Sequence, residues 1–224
     1  MKVFAYIDGF NSYHYLKYAI ESQNSNLTNK NKCIDYRKLI SLFFDKNTYI
    51  NKIMFFLLYL TIYILYKSNS NKRKGKISRH KAFYEILNKY CNIEAVNGRF
   101  GRKIVTDICP NCNKNIKLKK HEEKETDTAL SINILYDALT NKDIDIIVII
   151  SSDTDYIPII KMILEKTDKK IKVLFPINSR INKKFSKIKN VNYSAKKIKE
   201  NHIKLSQIPD TVTISCIKYI NPYL

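Results

Sequence analysis

Continuous apolar runs alternate along the chain with segments of helical periodicity. Val3–Ile7 is one such run, and Ile146–Ile150, written Ile-Ile-Val-Ile-Ile, is the clearest. Runs this short and unrelieved predict strands covered on both faces, because a strand with one wet face would alternate apolar with polar. Ile53–Ile62 predicts a further strand. It lies inside the longest uncharged apolar run, Ile53–Tyr66, whose 14 residues fall short of the roughly 20 that a membrane-spanning helix needs. Ile93–Val96 and Ile171–Phe175 predict two more. Between the strands, Asn11–Glu21, Arg79–Tyr90, Glu122–Leu139 and Pro158–Glu165 predict helices, and Asp35 is placed to cap another that runs to Ile40. The polar, basic stretch Asn69–Ile77 predicts a loop.

Strands that alternate with helices predict an α/β fold, a mainly parallel central sheet wrapped by helices on both faces. A length of 224 residues fits one domain with an appendage. The expected domain is 1–193, with a Cys-containing insertion near 98–121. The expected appendage is 194–224, a Lys-rich and helical extension that wraps the domain and turns at Pro209-Asp210. No internal repeat is found.

Charge adds a partner class. The chain carries 40 Lys+Arg against 20 Asp+Glu, a formal +20. Such an excess favours a polyanion, nucleic acid or an anionic membrane. Only six of the cations are Arg, and Lys, Asn and Ile all have A/T-rich codons, so genomic bias accounts for the excess equally well. With no visible export signal and an odd number of cysteines, five, a reducing cytoplasm is the expected setting.

The acids narrow the chemistry further. In open α/β sheets, sites form at the carboxyl ends of the strands. Val3–Ile7 ends in Asp8-Gly9-Phe10-Asn11, and Ile146–Ile150 ends in Ser151-Ser152-Asp153-Thr154-Asp155. Either Asp alone reads as a helix cap; two strand ends of the same kind suggest more. Asp127 precedes Leu130 by three residues and Ile134 by seven, which places it on the inward stripe of its helix. Its alternative role is an anion at a helix start. Asp8, Asp127, Asp153 and Asp155 are expected to converge, and carboxylates that close repel unless a cation joins them. Oxygen-only ligation suits Mg²⁺ or Mn²⁺, and such ions activate water and neutralise a reacting phosphate. Asp153-Thr154-Asp155 also resembles the nucleophile motif of haloacid-dehalogenase-type phosphatases, but Ile157 stands where that motif has Thr or Val.

Tyr6-Ile7-Asp8-Gly9-Phe10-Asn11 resembles the opening motif of NYN-domain proteins of the LabA-like group, in the PIN-like nuclease superfamily. Glu122-Glu123-Lys124-Glu125-Thr126-Asp127 resembles their central motif, and Ser151-Ser152-Asp153-Thr154-Asp155-Tyr156-Ile157-Pro158 their third. Weaker similarities lie at Ile34–Leu39, Gly98–Phe100 and Ser206–Asp210. The resemblance implies a three-layer α/β/α fold, Rossmann-like and PIN-like, and a divalent-metal-dependent ribonuclease. Carried over by position, Asp8, Asn11, Asp127, Asp153 and Asp155 are the catalytic residues, with Asp8, Asp127 and Asp153 holding Mg²⁺ or Mn²⁺. Lys124 and Ser152 are the implied substrate contacts. Glu125 stands where the family often has Gly, and Ser152 where Gly is usual.

Cys109-Pro110-Asn111-Cys112 supplies two thiolates of the four ligands that a structural Zn²⁺ requires. His121 would be the third, with Cys91 or a second chain as the fourth; two reduced thiols in a loop turn are the metal-free alternative. Basic clusters at Lys72-Arg73-Lys74, Arg99/Arg102-Lys103, Lys117/Lys119-Lys120 and Lys183-Lys184, with interleaved tyrosines, suit unpaired RNA. The expected partner is single-stranded RNA, with no membrane and with a homo-oligomer left open. The alternatives are a non-catalytic RNA-binding or regulatory adaptor and a DNA-directed nuclease.

Overall fold

The computed structural model describes residues 1–58, 71–108, 112, 114–215 and 217–224. Strand β1 (Lys2–Asp8) leads into helix α1 (Gly9–Glu21), followed by α2 (Tyr36–Ser41) and β2 (Tyr49–Leu58). Helix α3 (Asn71–Glu85) continues as a π-helical turn, Ile86–Tyr90. Next come β3 (Glu94–Ile108), β4 (Asn115–Lys124), α4 (Thr126–Thr140), β5 (Ile146–Ile150), α5 (Ile157–Lys166) and β6 (Lys170–Phe175). Helix α6 (Lys183–Ser186), β7 (Tyr193–Lys197), α7 (Glu200–Leu205) and the hairpin β8 (Thr211–Ile214) and β9 (Ile217–Ile220) complete the described chain.

The sheet runs β4-β3-β2-β1-β5-β6-β7, and every neighbouring pair is parallel except β3 with β4. The chain winds outward one way from β1 to β3 and the other way from β5 to β7. Its direction therefore reverses between β1 and β5, and the carboxyl edge opens a crevice at that point.

Alternating side chains of the central strands feed two cores, one on each face. Val3, Ala5, Ile7, Val148 and Ile150 pack with Leu16 of α1, Leu39 of α2, Phe83 of α3, Ile203 of α7 and Val212 of β8. Tyr6, Ile147 and Ile149 pack with Leu130 and Ile134 of α4 and with Ile160 and Ile163 of α5. The three-layer α/β/α arrangement expected from the motifs is the one observed. Among the described residues no helix is long and apolar enough to cross a membrane.

Gly9 lets α1 start hard against β2. A Cβ there would stand 2.4 Å from Phe55 Cε1 and 2.6 Å from the Phe56 carbonyl oxygen. The second contact is backbone, so it cannot swing away. Asp8 is thus seated where a larger following residue would push it out.

Four local expectations are corrected. Residues 71–77 are helical rather than a loop; the stretch lacks Pro, and Lys and Arg are good helix formers. The strand expected to end at Val96 runs on to Ile108, because Arg99–Ile108 pairs residue for residue with Asn115–Lys124. The helix expected from Glu122 starts at Thr126, because 122–124 belong to β4 and Glu125 turns the chain in the left-handed region at φ 75°. Residues 194–197 are strand, not helix, and belong to β7. Strand β7 is held to β6 through its main chain while its own side chains stay half-buried or exposed, so no apolar pattern announces it. Its lysines suit an edge strand, where charge discourages further pairing. Beyond it, the Asp35 amide donates to the Ser206 carbonyl and the Ile208 amide to the Cys33 carbonyl, which ties the tail to the start of α2.

Candidate active site

The crevice between β1 and β5 gathers the first and third motifs. Asp8 ends β1 and is 4% exposed. Its Oδ1 accepts from the Asn11 amide at 2.9 Å and its Oδ2 from Ser151 Oγ at 2.9 Å. Ser151 Oγ in turn accepts from the Asp153 amide at 3.1 Å. Asn11 Oδ1 accepts from both the amide and the hydroxyl of Ser152, each at 3.1 Å. The ends of β1 and β5 are therefore laced together by short polar side chains. Both strand-end aspartates also act as caps: Asp8 caps α1, and Asp153 Oδ1 accepts from the Asp155 amide at the start of the 3-10 turn Thr154–Tyr156.

The second motif reaches the same place by another route. Asp127 sits in the first turn of α4, where the helix dipole favours an anion. It is exposed, not on the buried stripe as expected; Thr126, Leu130, Ile134, Asp137 and Ala138 face the core. The helix starts later than its apolar period suggests, so Asp127 falls in the exposed first turn and not in the packed middle. Its Oδ1 still accepts from Tyr156 Oη at 2.9 Å.

Tyr156 locates the meeting point. It is buried, and its hydroxyl is held protonated far above the ordinary tyrosine range. Burial is the largest cause, followed by the charges of Asp8 and Asp127, the hydrogen bond to Asp127 and the charge of Asp153. Three acids from three separate segments thus act on one phenol. Sequence reasoning passed over Tyr156 and Ser151 as site residues. Their signal was present: both stand inside the third motif, and a buried-type aromatic directly after an acid needs a partner for its hydroxyl.

The remaining expected residues divide. Ser152 is half-buried and bound to Asn11. Asp155 is exposed and lends its amide to Asp153. The backbone of Lys124 ends β4 opposite Arg99; its side chain lies outside the described residues. Cys109 also lies outside them, as does the side chain of His121. Cys112 is exposed and Cys91 buried, both as free thiols. Cys91 lies in the core beside Asp35, its thiol pushed up mainly by burial.

The donors at the crevice are oxygens, which suits a hard divalent cation in kind. The hydroxyls of Ser12 and Thr126, neighbours of Asn11 and Asp127, are buried without hydrogen-bond partners, so polar capacity beside the site is unspent. Among the described residues, no three His, Cys, Asp or Glu side chains are drawn together closely enough to hold a metal ion as they stand.

The NYN domain family model matches residues 2–194. No curated protein matches the chain. A crystal structure of a protein of unknown function from Vibrio parahaemolyticus is similar at 17% identity and a TM-score of 0.44, covering 78% of this chain and 80% of that one.

Proposed function

The chain belongs to the NYN domain family, within the PIN-like nuclease superfamily, and on that premise we propose that it is a divalent-metal-dependent ribonuclease of the LabA-like group. The observation that carries this reading is that Asp127 accepts from the buried Tyr156 hydroxyl, on which the charges of Asp8 and Asp153 also act. Acids at a topological switch point, in a chain of formal charge +20, combine a site for phosphate chemistry with attraction for a polyanion.

Asp8, Asp127 and Asp153 would hold Mg²⁺ or Mn²⁺, which when bound supplies charge neutralisation at the scissile phosphate and an acidified water. The chain's own residues position that chemistry. Ser151 Oγ and the Asn11 amide orient the Asp8 carboxylate. Asn11 fixes the Ser151–Asp155 loop through Ser152, so it is a positioning residue rather than a ligand. Tyr156 steers Asp127 and, kept protonated by its surroundings, serves as a donor and not as a base. Asp155 stands exposed beside Asp153, where it would join the metal directly or through water. Lys124, one residue beyond the left-handed turn at Glu125 on its N-terminal side, is the proposed phosphate contact from the second motif.

The test is cleavage of single-stranded RNA in Mg²⁺ or Mn²⁺, with EDTA as control and matched DNA alongside. Cleavage should vanish with EDTA and in both Asp8→Asn and Asp153→Asn. Full activity in either variant overturns the assignment. RNA that is bound but never cut would select the non-catalytic adaptor, and preference for DNA the DNA-directed nuclease.

A further inference from the structure

Beside the acids, on the α1 face of the sheet, lies a cavity of about 900 Å³ whose wall begins at Gly9, the residue after Asp8. That size is at the upper end of what small-molecule sites enclose. Two kinds of side chain line it. Phe10 and Tyr13 of α1 and Tyr223 near the C-terminus are aromatic; Lys17, Lys32 and Arg79 are cationic. Phe10 and Tyr13 are 45% and 37% exposed, large apolar surfaces left facing water.

The cations are crowded and poorly compensated. Lys32 Nζ lies 5.9 Å from the centroid of the Tyr223 ring. Burial, Lys17 and Arg79 all lower the pKa of Lys32, and Glu21 partly opposes them. Lys17 pairs with Glu21 at 3.8 Å, but among the described residues no carboxylate forms an ion pair with Lys32 or Arg79. A ligand that relieves this arrangement must bring negative charge to Lys32 and Arg79 and a flat ring to the aromatics. An unpaired nucleotide does both: its phosphate answers the cations and its base stacks on the rings.

We propose that this cavity is a nucleotide subsite, which takes one unpaired nucleotide of the strand whose neighbouring phosphate lies at Asp8. The inference rests on the reading of the acids as a nuclease centre and adds the place where one nucleotide of the single strand sits; a paired base cannot enter the cavity.

The experiment is binding of a short fluorescein-labelled oligoribonucleotide, followed by anisotropy in EDTA so that nothing is cut. Lys32→Gln combined with Arg79→Gln should weaken affinity about tenfold or more and lower the salt slope by about one. Tyr13→Ala should weaken single-strand affinity about tenfold and leave affinity for a matched duplex unchanged. Lys32→Arg, which keeps the charge, should bind as the parent does, which separates charge from folding. Unchanged affinity and salt slope in the double variant, or equal losses for single strand and duplex in Tyr13→Ala, overturn the subsite. Metal-dependent cleavage without dependence on the cavity would overturn this inference alone. Cavity-dependent binding in a chain that never cuts would overturn the nuclease reading alone.

Discussion

Helix α4 carries two aspartates that each accept a hydrogen bond from a buried tyrosine. At its first turn Asp127 accepts from Tyr156, and at its last turn Asp137 accepts from Tyr6. The two pairs are alike in chemistry and opposite in surroundings. Asp137 is buried and also accepts from Lys52 Nζ at 3.0 Å, so its charge is cancelled where it lies. Asp127 is exposed, and the other charges that bear on its tyrosine are Asp8 and Asp153. A buried carboxylate with a cation is a brace. A carboxylate that shares a phenol with two more acids is a place where negative charge collects. The sign of the neighbours, not the Tyr–Asp bond itself, tells the two apart.

The largest expected effect breaks that comparison most directly. Asp137→Ala should cost about 3 kcal/mol of stability, near the low end for a broken buried ion pair because Lys52 is partly exposed. Asp127→Asn should cost less than about 0.5 kcal/mol, as surface changes do, yet abolish the proposed cleavage. Urea denaturation and RNA cleavage on both variants check this. Equal stability losses would show that the two aspartates share one role.

The tyrosines give a smaller effect. Both hydroxyls titrate well above their ordinary value of 10 in the folded chain, chiefly through burial and then through the adjacent carboxylates. An unfolded tyrosine therefore ionises first. The stability from each neutral phenol is complete below pH 10 and is lost as pH rises above it. Stability measured across that range should fall in the parent, and the fall should flatten in Tyr6→Phe and in Tyr156→Phe. At neutral pH each variant should lose about 1 kcal/mol, the net worth of one hydrogen bond. Tyr156→Phe should lose the less, because water can reach Asp127 in place of the phenol. An unchanged alkaline limb in both variants would remove the pH argument.

The smallest effect concerns the turn in front of Asp127. Glu125 holds φ 75°, a conformation that costs a residue with a Cβ about 1–2 kcal/mol and costs Gly almost nothing. Glu125→Gly should raise stability by about 0.5–1 kcal/mol after the greater flexibility of unfolded Gly is set against the relief. The melting temperature reads it. A fall instead would mean that contacts of the Glu125 side chain outweigh its strain. This also explains physically why Gly suits that position.

Much of the sheet could be read from local pattern. The runs Val3–Ile7 and Ile146–Ile150 became β1 and β5, each buried on both faces as unbroken apolar runs must be. Asp35 caps α2 as expected, its Oδ1 accepting from the Lys38 amide. Other elements could not be read, because what stabilises them is a partner far along the chain. The β3–β4 hairpin rests on cross-strand pairing, and β7 on main-chain bonds to β6.

The candidate site divides the same way. By itself the sequence determined that Asp8 and Asp153 would stand at the ends of covered parallel strands, because apolar runs and capping residues act over a few neighbouring positions. The tertiary structure alone decided that Asp127 faces outward, that Asp137 is buried with Lys52, and that Tyr156 bonds Asp127 within the field of Asp8 and Asp153. A charge is a brace or a site according to which other charges lie around it, and residues far along the chain supply them, as Lys52 does for Asp137 across 85 positions.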